Sequence, residues 1–491
     1  MRARLIIPII AAALFIYPSC NKVNEKVQEE SIDPIAFIIS DRVITLERGE
    51  SATLTVKFIP ENTTNTSLNW SSIDNRIASV SDGVITGVRA GTTEIVVESG
   101  SIMDKCSVTV VDRPGEIGMC ANNLIVYEGE TGKILPDAFP DDVSGVVTWT
   151  SSDSKVVSVD ENGFFKAINS GTATIKATCG GVLTTCDVIC YTPLSLEAIE
   201  NGKITISNPL ERAIIYSLNG VSNTSSSTSI SIDVMAGDVV QLSGNAQSYG
   251  LGLGKHATIK CSAAFYAYGS VMSLVHAGKL SRKNELTESN TFVCLFQGCT
   301  TLHSHPTKKL LLPAMVLTSN CYDNMFGECS SMTTAPELPA TVLAEHCYSD
   351  MFWDCISLTA APDLPATNLA PKCYSWMFYH CTSLASAPSI LPATELKDAC
   401  YSYMFAHCAI TKAPELPATT LVDHCYTGMF GACTNLSYIK ALFTSKPGGN
   451  LTGDWVVNVS KTGTFVKSKD ATWELSGNQG IPAGWTVEIE E

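Results

Sequence analysis

The chain has 491 residues, 45% apolar and only 16% charged, which is core-forming material and excludes a disordered chain. Its formal net charge of −16 excludes a nucleic-acid binder, because neutralising phosphates takes clustered Lys and Arg. Past the N-terminus there is no apolar run of the roughly 18 residues needed to cross a bilayer, so a multi-span helical membrane protein is excluded too.

Arg2 and Arg4 precede an apolar run over residues 5–16, too short to span a membrane as a helix. Tyr17, Pro18 and Ser19 then lead into Cys20. A small residue before a Cys at the end of such a run resembles the lipobox of bacterial lipoproteins. That resemblance implies a signal peptide over 1–19, lipid attachment at Cys20, and a location at the outer membrane, exposed at the cell surface. The membrane would then be a partner through the lipid anchor alone. Residues 20–34 read as a polar tether.

The next two segments are related to each other. Trp70 opens WSSIDNRIASV and Trp149 opens WTSSDSKVVSV. Gly49 and Gly129, Gly91 and Gly171, and Cys106 and Cys186 each recur 80 residues apart. The duplication predicts two β-domains over 35–112 and 115–191, built of short alternating runs separated by turns such as Ser81-Asp82-Gly83. The shared motif resembles the bacterial Ig-like domain of group 2, which implies sandwich modules acting as a stalk. Asp160-Glu161-Asn162-Gly163 lacks the ligand spacing of a calcium loop and reads as a hairpin turn. Residues 192–290 show further alternation at 203–207 and 229–234, with a loop over 222–228. They predict a small β-unit leading into an N-terminal cap for a repeat region.

The region 291–435 is a repeat array. Cys-Tyr recurs at Cys321, Cys347, Cys373, Cys400 and Cys425, with spacings of 26, 26, 27 and 25. Met-Phe follows four residues on in each unit, and a second Cys closes it at Cys329, Cys355, Cys381, Cys408 and Cys433. A period near 26 lies within the range of leucine-rich repeats. In the unit starting at Thr341, a helix capped by that residue would place Leu343, Cys347, Met351 and Cys355 on one face. The segment 332–338 would form a short strand, curtailed by aligned Pro336, Pro362, Pro388 and Pro414. Packed helices lie about 8–10 Å apart, beyond easy disulfide reach, so the repeat cysteines are expected as buried free thiols. The unit resembles the BspA-type leucine-rich repeat of bacterial surface proteins, and 436–491 its C-terminal cap. The expected fold class is therefore mainly β with an α/β solenoid.

No catalytic motif is found, and neither a cofactor nor a metal is expected. Cys294, Cys299, His303 and His305 match no common zinc spacing. Four His residues, His346, His380, His407 and His424, adjoin Cys but sit at two different repeat offsets. The sharper candidates are aromatic. Trp376 and Tyr403 share one repeat position, and Trp353 and Tyr379 another three residues on. They form either an exposed binding patch or filler between rungs. Glu337, Asp363 and Glu415 form an acidic row, read as a solvated edge. The BspA resemblance implies adhesion to macromolecules of a host or neighbouring cell; the alternative is glycan capture at the surface. The partner is thus an unknown protein or glycan.

Overall fold

The computed structural model describes residues 31–112, 116–119, 123–136, 146–280 and 282–490. Cys20 and Cys120 lie outside the described residues. The chain divides into two compact units, residues 1–111 and 112–491. Among the described residues there is one α-helix, the four-residue Ser273–His276, and none is long and apolar enough to cross a membrane.

In the first unit, Ile102–Val111 pairs with Gly91–Ser99 antiparallel and with Val43–Glu47 parallel, and Asn69–Ser72 completes the sheet. A second sheet joins Ser51–Thr53, Val84–Gly87 and Ala78–Ser81. Alternate residues Ile95, Val97, Cys106, Val108 and Val110 point into the core between them. The duplicated segment repeats the arrangement: Val182–Tyr191 pairs with Gly171–Cys179 and, in parallel, with Leu124–Tyr127. The turn glycines have a visible cause. Gly83 and Gly163 sit at φ of 81° and 82°, and a Cβ there would lie 2.7 and 2.6 Å from the carbonyls of Leu54 and Ile134. The same Cβ would press on Trp70 and Trp149, so the tryptophan of each motif packs on the glycine of its turn. Asp160 spends its carboxylate on the amides of Asn162 and Phe164, as a hairpin turn requires.

The next β-unit does not stand apart. Phe265–Ser270 pairs with Leu194–Ala198 on one side and, in parallel, with Leu302–Ser304 and Leu310–Leu311 of the repeats on the other. One continuous apolar core runs from Leu194 to Trp485. Val221–Ser225 is a strand paired with Ile214–Leu218, so the loop expected over 222–228 begins only after Ser225. The second Ig-like region docks on this body through buried Arg282. Its guanidinium donates to both Glu130 oxygens at 2.6 and 2.7 Å and to the carbonyls of Ile125 and His276. Leu280 packs into the Ig-like core beside it.

The solenoid departs from its expected form. The segment read as a helix is a ribbon of successive tight turns, and Thr341 caps nothing: its amide bonds Met315 of the previous rung. Residues 320, 324 and 328 take positive φ (54°, 52°, 63°), and the pattern returns every fourth residue in each rung. Backbone donors alternate. Cys321, Asp323, Met325, Gly327 and Cys329 bond three residues back. Tyr322, Asn324, Phe326 and Glu328 bond carbonyls of the next rung, at Cys347, Ser349, Met351 and Trp353. A helix would spend every interior donor on itself. The ribbon spends half on its neighbour, so rungs approach until Tyr322, Tyr348, Tyr374, Tyr401 and Tyr426 stack 5.7–6.0 Å apart. Phe326, Phe352, Phe378, Phe405 and Phe430 form a parallel column. The α part of the expected α/β solenoid is therefore absent from the described residues, although Cys347, Met351 and Cys355 are buried on one face as expected. The segment 332–338 forms no strand either. It is reduced to the single parallel bridge between Leu311 and Glu337, next to Pro336.

All 17 described cysteines are unpaired and buried. Distance is not the reason. Backbone-bonded rungs bring matched Cα atoms to roughly 5 Å, within disulfide range. Instead the closing thiols donate to carbonyls one rung back: Cys355 to Phe326 at 3.1 Å, Cys381 to Phe352 at 3.1 Å, Cys433 to Phe405 at 2.9 Å. The C-terminal segment continues the stack, with Trp455 at the ribbon position of Met429 and its indole N–H bonded to Gly480.

Candidate functional site

From Asn320 to Ala432 each positive-φ residue of the ribbon immediately precedes a buried Cys or Met, and apart from Ala399 these side chains leave the core. At the middle such position the rungs carry Asn324, Asp350, Trp376, Tyr403 and Gly428. Asn, Asp and Gly tolerate the left-handed region; Trp and Tyr do so at a cost of roughly 1–2 kcal/mol. The two central rungs thus place large aromatics where the backbone least favours them.

Trp376 and Tyr403 stack 4.3 Å apart at 21°, and Tyr379 tilts against Trp376 at 4.6 Å. Gly428 makes room for this: a Cβ there would lie 2.3 Å from the Tyr403 ring. The structure brings these three candidates together, each half-buried. Trp353 is not brought in. It is half-buried, its carbonyl accepts the Glu328 amide, and it makes no ring contact with the other three.

Two histidines extend the cluster. His407 meets the Tyr379 edge at 5.3 Å and His380 at 5.8 Å, and His380 is hydrogen-bonded through Nδ1 to Asp354. Both are exposed. Their signal in the sequence was their common offset before the closing Cys of adjacent units. Taken as Cys neighbours they had suggested only thiol or metal chemistry. The fold turns the imidazoles outward and the thiols inward, so no Cys–His pair forms.

At the edge of this surface, burial and the nearby Asp350 raise the carboxyl of Asp323 to about 7. Matched positions in later rungs carry Ser349, Ser375, Ser402 and Thr427. The acidic row lies on another face. Glu337 pairs with Lys309 at 2.6 Å and Glu415 with Lys440 at 2.9 Å, leaving Asp363 exposed between them.

No three of Cys294, Cys299, His303 and His305 lie in mutual reach as ligands. Cys294 and Cys299 are buried, and Nδ1 of His305 accepts the amides of Thr307 and Lys308. Among the described residues, the one group of three ligand-type side chains in mutual reach is Asp398, Asp423 and His424, all exposed.

The model of the bacterial Ig-like domain (group 2) matches residues 36–110 and 119–185, so the chain contains two such domains. A 3-O-alpha-D-galactosyl-alpha-L-arabinofuranosidase of Bifidobacterium longum subsp. longum is 37% identical over 111 residues, 22% of this chain and 10% of that protein. The chain covers only 10–17% of the length of the curated relatives it matches first. Among solved structures, domains 4 and 5 of the S-layer protein SbsC align at 19% identity and a TM-score of 0.14, covering 32% of this chain and 98% of that one. A glucan-utilisation protein of Bacteroides ovatus, SGBP-B in complex with a mixed-linkage heptasaccharide, aligns at 18% and 0.14, covering 40% and 57%.

Proposed function

We propose that the protein is a lipoprotein anchored through Cys20 and displayed at the cell surface, whose BspA-like solenoid binds a macromolecular partner. The first Ig-like domain serves as spacer. The second, clamped by Arg282, belongs to the rigid body that carries the solenoid. The observation behind this reading is the outward cluster of Trp376, Tyr379 and Tyr403, flanked by His380 and His407. Two of its aromatics occupy strained backbone positions that filler would leave to Asn or Gly, and strain of that kind concentrates at functional sites. Clustered aromatics with polar neighbours are also the composition of binding hot spots.

The test is a substitution that separates packing from binding. Trp376→Asn adopts the residue type of Asn324, so relief of strain offsets lost stacking, and stability should change by less than about 1 kcal/mol. Capture of intact host or neighbouring bacterial cells by the immobilised full chain should fall by an order of magnitude or more. A variant that loses stability and keeps cell capture would reduce the cluster to rung packing.

A further inference from the structure

Where the β-unit meets the first rungs, three cavities lie in a row and share walls. The first, of about 510 Å³, lies between Glu128, Gln241 and Lys308. The second, of about 340 Å³, shares Thr307, Lys308 and Lys309 with it and is floored by Ala267, Leu302 and Met332. The third, of about 440 Å³, shares Thr334, Ala335 and Glu337 with the second and ends at Asp363 and Pro365. Together they make one trough on the proline-bearing face, distinct from the ribbon that carries Trp376.

Its central wall is held rigidly. Lys308 Nζ lies 2.7 Å from Glu197 and 4.1 Å over the ring of Tyr268. The ring of His305 meets Tyr266 at 4.8 Å and Tyr268 at 5.4 Å. Nδ1 of His305 accepts two backbone amides, so its proton sits on Nε2, which faces Glu197 at 3.9 Å. Burial, then Lys308, lowers the His305 pKa, which keeps the ring neutral.

The charges decide the ligand class. Lys308 is matched by Glu197 and Lys309 by Glu337, while Glu128 and Asp363 add negative charge. An anionic ligand gains nothing here. An extended peptide gains little either, because the aligned Pro336 and Pro362 remove main-chain donors that strand addition would use. What the trough offers is paired donors and acceptors, hydroxyls at Thr307, Thr334 and Thr359, and C–H surface from Ala335, Ala361 and Pro362.

The geometry points to a binding site for a neutral linear oligosaccharide along this trough, from Lys308 to Asp363. It is separate from the ribbon cluster, and either site stands if the other fails.

Calorimetric titration of the full chain with cellohexaose, xylohexaose, mannohexaose and maltohexaose tests it, with hexagalacturonate as the charged probe. At least one neutral hexasaccharide should bind saturably, and its disaccharide about ten-fold more weakly, since it fills fewer chambers. Lys308→Met should weaken binding about ten-fold. Thr359→Val and Asp363→Ala, at exposed positions that do not threaten folding, should each weaken it several-fold. Lys203→Ala, outside the trough, is the control. No binding of any neutral hexasaccharide, preference for hexagalacturonate, or indifference to both Thr359→Val and Asp363→Ala would overturn the proposal.

Discussion

The Ig-like domains and the solenoid bury apolar side chains by opposite routes. The first Ig-like domain closes its own core from alternating strands, so Ile95 and Val97 need no neighbour, and the second does the same around Ile175 and Ala177 with only Leu280 added from outside. No single solenoid rung does this. Each leaves half its ribbon amides and both aromatic columns unfinished until the next rung arrives. Independence in the first case and obligate sharing in the second follow from where the backbone donors are spent.

The largest expected difference between them is in the spread of damage. Phe352→Ala should cost about 3–5 kcal/mol and loosen the shared core well beyond its own rung, into the preceding β-unit. Ile95→Ala should cost about 2–5 kcal/mol and leave 112–491 untouched. Hydrogen exchange resolved by segment distinguishes them; a Phe352→Ala effect confined to one rung would refute shared stability.

The junction comes next. Arg282→Ala leaves Glu130 and the Ile125 carbonyl without their buried donor and should cost about 3–5 kcal/mol. Limited proteolysis should then release 116–191 as a separate fragment, which the wild type resists.

The two regions should also answer pH with opposite signs. His276, at the junction, is lowered to about 4 by burial and by Arg282. The unfolded chain then holds the extra proton, so stability falls as pH drops from about 6.5 to 4, by on the order of 3 kcal/mol. Asp323, on the solenoid, is raised to about 7, so the folded form holds the proton and stability falls as pH rises from about 4 to 7. Thermal melts of His276→Gln should flatten the acid limb. Asp323→Ser, which restores the residue of Ser349, should raise the melting temperature at pH values above about 7.

The smallest effect concerns the thiols. Burial lifts Cys321, Cys355 and Cys433 each to about 12, so the native repeats should resist iodoacetamide at neutral pH. Denatured without reductant, at least eight thiols should titrate; mostly paired cysteines would contradict the ladder. Cys355→Ala, losing its bond to the Phe326 carbonyl, should cost about 1–2 kcal/mol.

Much of this was legible in the residues. The 80-residue duplication located both Ig-like cores, because strand alternation and turn glycines are local signals. The recurring Cys-Tyr and Met-Phe pairs identified the buried solenoid face. Their spacing of four suits a helix and a turn ribbon equally, and what separates the two is the φ of Asn320, Asn324 and Glu328, which side-chain periodicity does not encode. Three of the four aromatic candidates meet, because repeat position carries over from rung to rung; Trp353 does not, although it shares the offset of Tyr379, because its own rung carries Asp350 where the next carries Trp376.

Local chemistry alone therefore determined which side chains are buried, where the repeats begin, and that the cysteines serve as core. Only the tertiary structure decided that half the amides bond across rungs, that Arg282 welds an Ig-like domain to the solenoid body, and that Glu197 and Lys308, 111 residues apart, wall one trough. The physical reason is that burial follows from a residue's own type, whereas a hydrogen bond or an ion pair also needs its partner brought within reach.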